Sequence, residues 1–460
     1  MTSRHPSSYR DPSGFIFTHE GVLYRQINKC FAKNFEIFIN SGLHDHLIKE
    51  EMLIADSIIN ENLTGSGDWH LTLKPQLIPF ISYSYEWSFD MLKDAALLTL
   101  KLAKEAMKFG MLLKDATPLN IQFYKGKPIF IDSLSFEAYD ETKPWIAYRQ
   151  FCETFLAPLA LMHYLQTPLQ PMLLAYPDGI PLSVAAKLLP WKSKLNLNVN
   201  LHVHLQTKIA AKADNTNKSS KEFKFSASKL KNILSSLESS IQYFQLNASS
   251  GSWSGYYNEA EQREDYLDEK KAIISQWLSS LQLKTAIDVG ANEGFFSKLL
   301  NDQNIEVLSA DSDHFSINNL YKQIKKEDIE NIMPLIIDFA NPSPAIGVNN
   351  TERNPFLERV NVDLVIALAV IHHLAIGRNI PFAYIATLFK KFGPYLIIEF
   401  VPKEDEKIQL MLQHKKDIYN WYTEENFLKE FAAFYHVAAS EVIGQSKRKL
   451  FLMQANEQAF

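Results

Sequence analysis

Cysteine is nearly absent from this 460-residue chain: Cys30 and Cys152 are the whole complement, and neither pairs with a histidine at zinc-ligand spacing. That excludes a disulfide framework and predicts a protein built for a reducing compartment, with no metal site. No apolar run approaches the ~18 uninterrupted residues of a spanning helix, and the N-terminus, MTSRHPSSYRDPSG, has no apolar core of a signal peptide. A cytoplasmic protein with no membrane partner is the expectation. Neither sign of charge dominates: 47 basic residues stand against 52 acidic ones. By halves the counts are 26 against 23 up to Ser250 and 21 against 29 after it, so a nucleic-acid partner is disfavoured. Glycine is scarce too, at 16 residues, and no G-x-G-x-x-G loop is found where a dinucleotide or a kinase phosphate grip would need it. What remains is a hydrophobic content of 46% and a charged content of 22%, ordinary for globular proteins, in a chain long enough for two or three domains.

The most informative stretch is LKTAIDVGANEGFFSKLL, from Leu283. Ala286, Ile287 and Val289 read as a buried strand, Gly290 and Gly294 as a tight turn, and Phe295 to Leu300 as the start of a helix. Strand, loop and helix N-terminus form the usual cradle for a nucleotide-like ligand. The spacing is Asp-x-Gly-x-x-x-Gly, running through Ala291, Asn292 and Glu293. Carboxylates at Asp288 and Glu293 would repel a phosphate and suit a ligand with a cationic end.

From Tyr256 onward, strands and helices alternate as in an open parallel sheet, and the last two strands, His436 to Ile443 and Lys449 to Gln454, read as a terminal antiparallel hairpin. In such a sheet the ligand lies at the carboxyl ends of the strands. Asp311 follows the second strand, where a carboxylate can take two ribose hydroxyls. Asp338 and Phe339 follow the third, offering an acceptor for an adenine amine and a ring beside its face. His372 and His373 follow the fourth and Glu399 the fifth. One acidic residue at a strand end is more often a cap than a ligand; several in order point to one site. His372 and His373 are candidates for a general base, with Glu399 a third catalytic candidate. The plainer reading is a cap and a packed ring.

Motif and spacing resemble motif I of the class I S-adenosylmethionine (SAM)-dependent methyltransferases, a resemblance that implies a Rossmann-like fold and SAM as cofactor. Across nearly the whole length the sequence also resembles the NoeA-like bacterial methyltransferases associated with host-specific nodulation. That likeness is carried by LKDATPLNIQF, PIFIDSLSFE, PWIAYRQFCETFLAPLAL, DGIPL, the WSGYY segment, FANPSPAIG and ALAVIHHL, and it leaves the methyl acceptor undefined. Trp253, Tyr256 and Tyr257 are candidates for covering cofactor or acceptor.

In the first half, Phe89 to Gly110 has the pattern of a long amphipathic helix. Asp115 to Asn120 has the D-x-x-x-x-N spacing of a kinase catalytic loop, with Asp132 following 12 residues later at the end of a strand. The resemblance implies a base at Asp115 and magnesium ligands at Asn120 and Asp132. It is partial: Ser133-Leu134 replaces Phe-Gly, and Arg25 and Lys29 are the only candidates for a strand cation. LNLNVNLHVHL, from Leu195, alternates like a surface strand carrying His202 and His204 on one face. Thr207 to Ser226 reads as an exposed loop.

The expected organisation is a flexible arm over 1–14, an α+β domain over 15–205, kinase-like in outline, a linker with a helix over 206–250, and an α/β methyltransferase domain over 251–460. The function expected is methyl transfer from SAM to a small-molecule or glycan-type acceptor, with the first domain recognising it. The alternative is a SAM- or nucleotide-binding interaction protein without turnover.

Overall fold

The computed structural model describes residues 2–213, 226–247, 264–413 and 415–456. Two compact units divide the chain: Met1–Asn247 with Gly347–Arg353, and Ala248–Ile346 with Asn354–Phe460. Trp253, Tyr256 and Tyr257 lie outside the described residues.

The first unit is α+β. Its five-stranded antiparallel sheet has the order β1-β2-β3-β5-β4, formed by β1 (Thr2–Arg4), β2 (Gly14–His19), β3 (Val22–Asn28), β4 (Asp56–Ile59) and β5 (Trp69–Pro75). The expectation of a loose arm over 1–14 is corrected here. Thr2–Arg4 pairs with β2, and Tyr9 and Arg10 both donate to the carboxylate of Glu352, the guanidinium at 2.9 Å. The long helix Phe89–Lys108 buries Leu92, Ala96, Leu100 and Ala103 at helical spacing, and Gly110 stops it in the left-handed conformation. Short ladders follow: β6 (Met111–Leu113) pairs with β9 (Phe136–Ala138), and β7 (Ile121–Tyr124) forms a hairpin with β8 (Lys127–Phe130).

The helix Ala227–Tyr243 is no linker. It buries Leu230, Leu234, Leu237 and Ile241 and is tied to the Phe89–Lys108 helix by Lys104–Glu238 at 2.6 Å. The expected strand at Leu195 is also corrected: Leu197–Val199, Asn200–Leu205 and Gln206–Ala213 form one continuous, partly π-wound helix, which also replaces the start of the expected loop. His202 and His204 are buried within the unit. His202 bridges the Tyr148 hydroxyl at 2.7 Å and Ser236 Oγ at 2.9 Å, and His204 meets Ser193 Oγ at 2.8 Å.

The second unit is built on a seven-stranded sheet of order β12-β11-β10-β13-β14-β16-β15. Its parallel strands are β10 (Thr285–Val289), β11 (Glu306–Asp311), β12 (Ile332–Ile336), β13 (Leu364–Ala367) and β14 (Tyr395–Phe400); β15 (Tyr435–Val442) and β16 (Lys449–Ala455) close it as an antiparallel hairpin. The central strands are apolar on both faces because helices cover both. Ile274, Trp277, Ala286, Leu300, Leu320, Ile366 and Ile397 share one core. This is the Rossmann-like order of class I methyltransferases. Its topological switch point lies where β10 runs between β11 and β13, and a crevice opens there at the carboxyl ends of the strands.

Candidate functional site

The site grows from the turn after β10. Gly290 has φ +74°, and a Cβ added there would come within 2.4 Å of Val370 Cγ2. Gly294 has φ +78°, with Leu320 Cδ1 2.6 Å from the same hypothetical atom. Both positions therefore favour glycine on backbone, and a Cβ at either would also have to push a neighbouring side-chain methyl aside. Asn292 between them is also left-handed, at φ 50°, a conformation Asn tolerates better than most residues. The loop is stitched to β11: the Gly290 and Ala291 amides donate to the Ala310 carbonyl at 2.8 and 3.2 Å, and the Asn292 amide donates to Asp311 Oδ2 at 2.9 Å.

These residues border a cavity of about 450 Å³, within the size range of small-molecule sites. Of the expected cofactor residues, Asp288, Gly290, Ala291, Asn292, Asp311, Asp338 and Phe339 line it. Glu293 and Gly294 do not. The Glu293 carboxylate accepts from Asn319 Nδ2 at 2.9 Å.

Burial pushes the Asp288 carboxyl up to about 6, and the nearby Asp311 charge adds to it. Ser297 opposes the shift by donating to Asp288 Oδ2 at 2.7 Å, itself receiving a 2.7 Å bond from Ser309. Asp311 is likewise raised by burial, although the amides of Asp313 and Asn292 hold its two oxygens. Two raised carboxylates on one cavity wall, Asp288 buried and Asp311 half-buried, are the electrostatic signature of a site that favours a cation or hydroxyl donors. Asp338 sits nearer the rim, paired with Arg378 at 3.1 Å. Phe339 is held edge-on by Phe356 and Phe392.

Beyond β13 the chain turns through Ala369, left-handed at φ 53°, a strained conformation for a residue with a Cβ. That turn delivers His373 to the cavity wall. His372 stands behind it, fully buried, with the two rings 4.1 Å apart. Its Nδ1 has no hydrogen-bond partner among the described residues. Burial drives His373 down to about 4 and His372 well below the ordinary imidazole range. Both general-base candidates are thus shifted toward the neutral imidazole.

Glu399 is not brought to the cavity. It is completely buried, receiving the Tyr266 hydroxyl and the Lys270 ammonium at 2.5 Å each and Arg448 Nη1 at 3.5 Å. Arg448 in turn makes a two-point pair with Asp405 at 2.8 and 3.0 Å. Tyr266 and Lys270, which sequence reasoning missed, do line the cavity. They lie four residues apart on the helix Glu264–Ser279 and so share a face; a lysine on the inner face of a covering helix was the available signal.

In the first unit, Arg25 on β3 is ion-paired to Asp132, whose carboxylate also accepts from Ser135 and from the Leu134 amide. Asn120 Nδ2 donates to Ser135 Oγ at 3.0 Å. Asp115 is pushed up to about 6 by burial, with Asp132 adding to the shift. The three kinase-spaced residues are thus neighbours, with an arginine on the carboxylate expected to hold magnesium. No group of three or more His, Cys, Asp or Glu poised to hold a metal occurs among the described residues.

No protein-family model matches the chain. Among solved structures it is similar to the N-methyltransferase NodS of Bradyrhizobium japonicum WM9, with 14% identity, a TM-score of 0.31 and coverage of 42% of this chain and 96% of that one. It is also similar to the bifunctional kinase-methyltransferase WbdD, with 17% identity, a TM-score of 0.28 and coverage of 43% and 40%. Over its whole length it is 30% identical to nodulation protein NoeA of Rhizobium meliloti (strain 1021), across 462 aligned residues that span 99% of this chain and 96% of that protein. With a relationship that runs from end to end through both units, the chain belongs to the family of nodulation protein NoeA.

Proposed function

We propose that the protein is a SAM-dependent methyltransferase whose second unit holds the cofactor and whose first unit recognises the acceptor. The observation that carries this reading is the cavity at the switch point, lined by the buried Asp288 and the half-buried Asp311 beside a left-handed glycine turn. The residues present fit SAM. Asp288 suits the ammonium of the amino-acid part and Lys270 its carboxylate. Asp311 suits the ribose hydroxyls, while Asp338 and the Phe339 ring suit the adenine. When bound, SAM supplies an electrophilic methyl on a sulfonium.

The chain's own task is then to align an acceptor lone pair with that carbon and to take up a proton. His373, on the cavity wall, is the group proposed to receive it, with the His372 ring tilted against it 4.1 Å behind. Glu399 acts at one remove, as the anchor of Tyr266 and Lys270. The first unit follows a kinase-like order of sheet, long helix, D-x-x-x-x-N turn and hairpin, but Arg25 neutralises Asp132 where a metal would sit. Substrate recognition, rather than phosphoryl transfer, is the role proposed for it. A small-molecule or glycan-type acceptor remains the favoured class, in a reducing, cytoplasmic setting.

Isothermal titration of the full chain with SAM and with S-adenosylhomocysteine tests the cofactor assignment; absence of binding by both would refute it. Comparing metabolites of deletion and wild-type cells for the mass of one added methylene then identifies the acceptor. Binding of both ligands with no methylated product would instead favour the non-catalytic alternative.

A further inference from the structure

The corrected helix over Leu197–Ala213, with the short turn Trp191–Leu195 ahead of it, leaves an unusual surface. Trp191, Leu195 and Leu197 are 73%, 71% and 82% exposed, and Leu201, Leu205 and Ile209 continue the series in the open. From Leu197 the spacing is four throughout, so these side chains form one row along the helix, about 18 Å long at ~1.5 Å per residue. The opposite side of the same helix is fastened inward. Val199 and Val203 are completely buried, and His202 and His204 hold Tyr148, Ser236 and Ser193. The apolar row is therefore displayed on a rigid platform.

Its charge is one-sided. Between Gly179 and Ala213 there are five lysines and not one aspartate or glutamate. Lys187, Lys192, Lys194 and Lys208 are all exposed. Exposed Trp and Leu flanked only by lysine is the composition of a segment that lies in a membrane interface, with apolar side chains among the acyl chains and ammonium groups on anionic headgroups. Within this stretch there is no carboxylate to offer a basic residue of a protein partner or a second copy.

We propose that the face formed by Trp191, Leu195, Leu197, Leu201, Leu205 and Ile209 seats the first unit on an anionic lipid bilayer surface. The contact is peripheral: no described helix is long and apolar enough to cross a membrane. The proposal is independent of the methyl-transfer reading, since none of these residues lines the cavity of the second unit.

The test is flotation of the full chain with extruded vesicles, either phosphatidylglycerol and phosphatidylcholine in equal parts or phosphatidylcholine alone. The wild type is expected to float with the anionic vesicles at low salt and to be released as salt rises. Each lysine at an anionic surface strengthens binding about fivefold. Lys192→Glu with Lys194→Glu should therefore weaken it by well over tenfold, and Trp191→Ser with Leu197→Ser comparably. All four residues are exposed, so the variants should keep the wild-type circular dichroism and melting curve. Failure of the wild type to float, equal flotation on phosphatidylcholine alone, or unchanged flotation of both folded variants would overturn the proposal. A dimer by light scattering that Leu197→Ser converts to monomer would overturn it too, by giving the face to a second copy.

Discussion

Lys270 Nζ lies 2.5 Å from the Glu399 carboxylate, with both side chains almost wholly out of water. Removing one member of such a pair leaves an uncompensated buried charge, which costs about 3–5 kcal/mol. Glu399→Ala strands Lys270, while Arg448 keeps its two-point pair with Asp405, so the substitution should destabilise the second unit by that amount in denaturant titrations. A variant that melts like wild type but has lost turnover would return Glu399 to the reacting centre.

On the proposed cofactor reading, the raised carboxyl of Asp288 should make SAM affinity depend on pH. Its pKa of about 6 lies above the value of 3.8 expected for the unfolded chain. The ligand-free protein therefore binds more protons folded than unfolded between these values, and its stability falls as pH rises through that window. SAM, whose ammonium needs the ionised carboxylate, should bind more tightly as pH rises through about 6. Near pH 6 its binding should release a fraction of a proton, detectable by titration calorimetry in buffers of different ionisation enthalpy. Affinity that is flat from pH 5 to 8 would remove Asp288 from the cationic end.

Asp311→Ala should weaken SAM and S-adenosylhomocysteine alike, by about 3 kcal/mol or over a hundredfold in Kd, since two hydrogen bonds to a charged acceptor are lost. Calorimetric titration with both ligands checks this. A smaller loss for the intact cofactor than for its product would argue against ribose recognition.

His373→Ala should leave S-adenosylhomocysteine binding within about threefold of wild type while lowering turnover at least about a hundredfold. Transfer of a tritiated methyl group into an extract of cells lacking the gene provides the assay. With SAM saturating, the acid limb of wild-type turnover should fall toward pH 4, where His373 protonates, and not at the ordinary imidazole value.

Arg25 holds the half-buried Asp132 carboxyl below its usual range, against the opposing effect of desolvation. A carboxylate depressed in this way stabilises the folded state above its unfolded pKa, and that stabilisation is lost as pH falls through the lower, folded value. Arg25→Ala should abolish this contribution and destabilise the first unit at pH 7, with the melting temperature as readout. Magnesium and ATP should not raise the melting temperature of the wild type.

The parallel sheet was legible because each strand carries its own apolar run and the glycine turn interrupts the first with a spacing that few other structures require. The acidic strand ends were legible for the same reason: topology puts them in one crevice. Glu399 was misplaced because a strand-end carboxylate reads alike whether it faces a ligand or a buried lysine, and Lys270 sits 129 residues earlier in the chain. The histidine run at Leu195 was misread because alternation of Leu, Asn, Val and His fits a strand until tertiary partners, Tyr148 and Ser236 for His202, select a helix with a π-turn.

The segment Gly347–Arg353 lies between β12 and β13 in the chain yet belongs to the first unit, where Glu352 receives Arg10. During synthesis, the first 247 residues leave the ribosome without that carboxylate. Arg10 and Tyr9 find their partner only after β10, β11 and β12 have been translated. The first unit can therefore fold ahead of the second, as domains generally do during synthesis, and only this surface ion pair, made by the exposed Arg10, has to wait for the later stretch of chain.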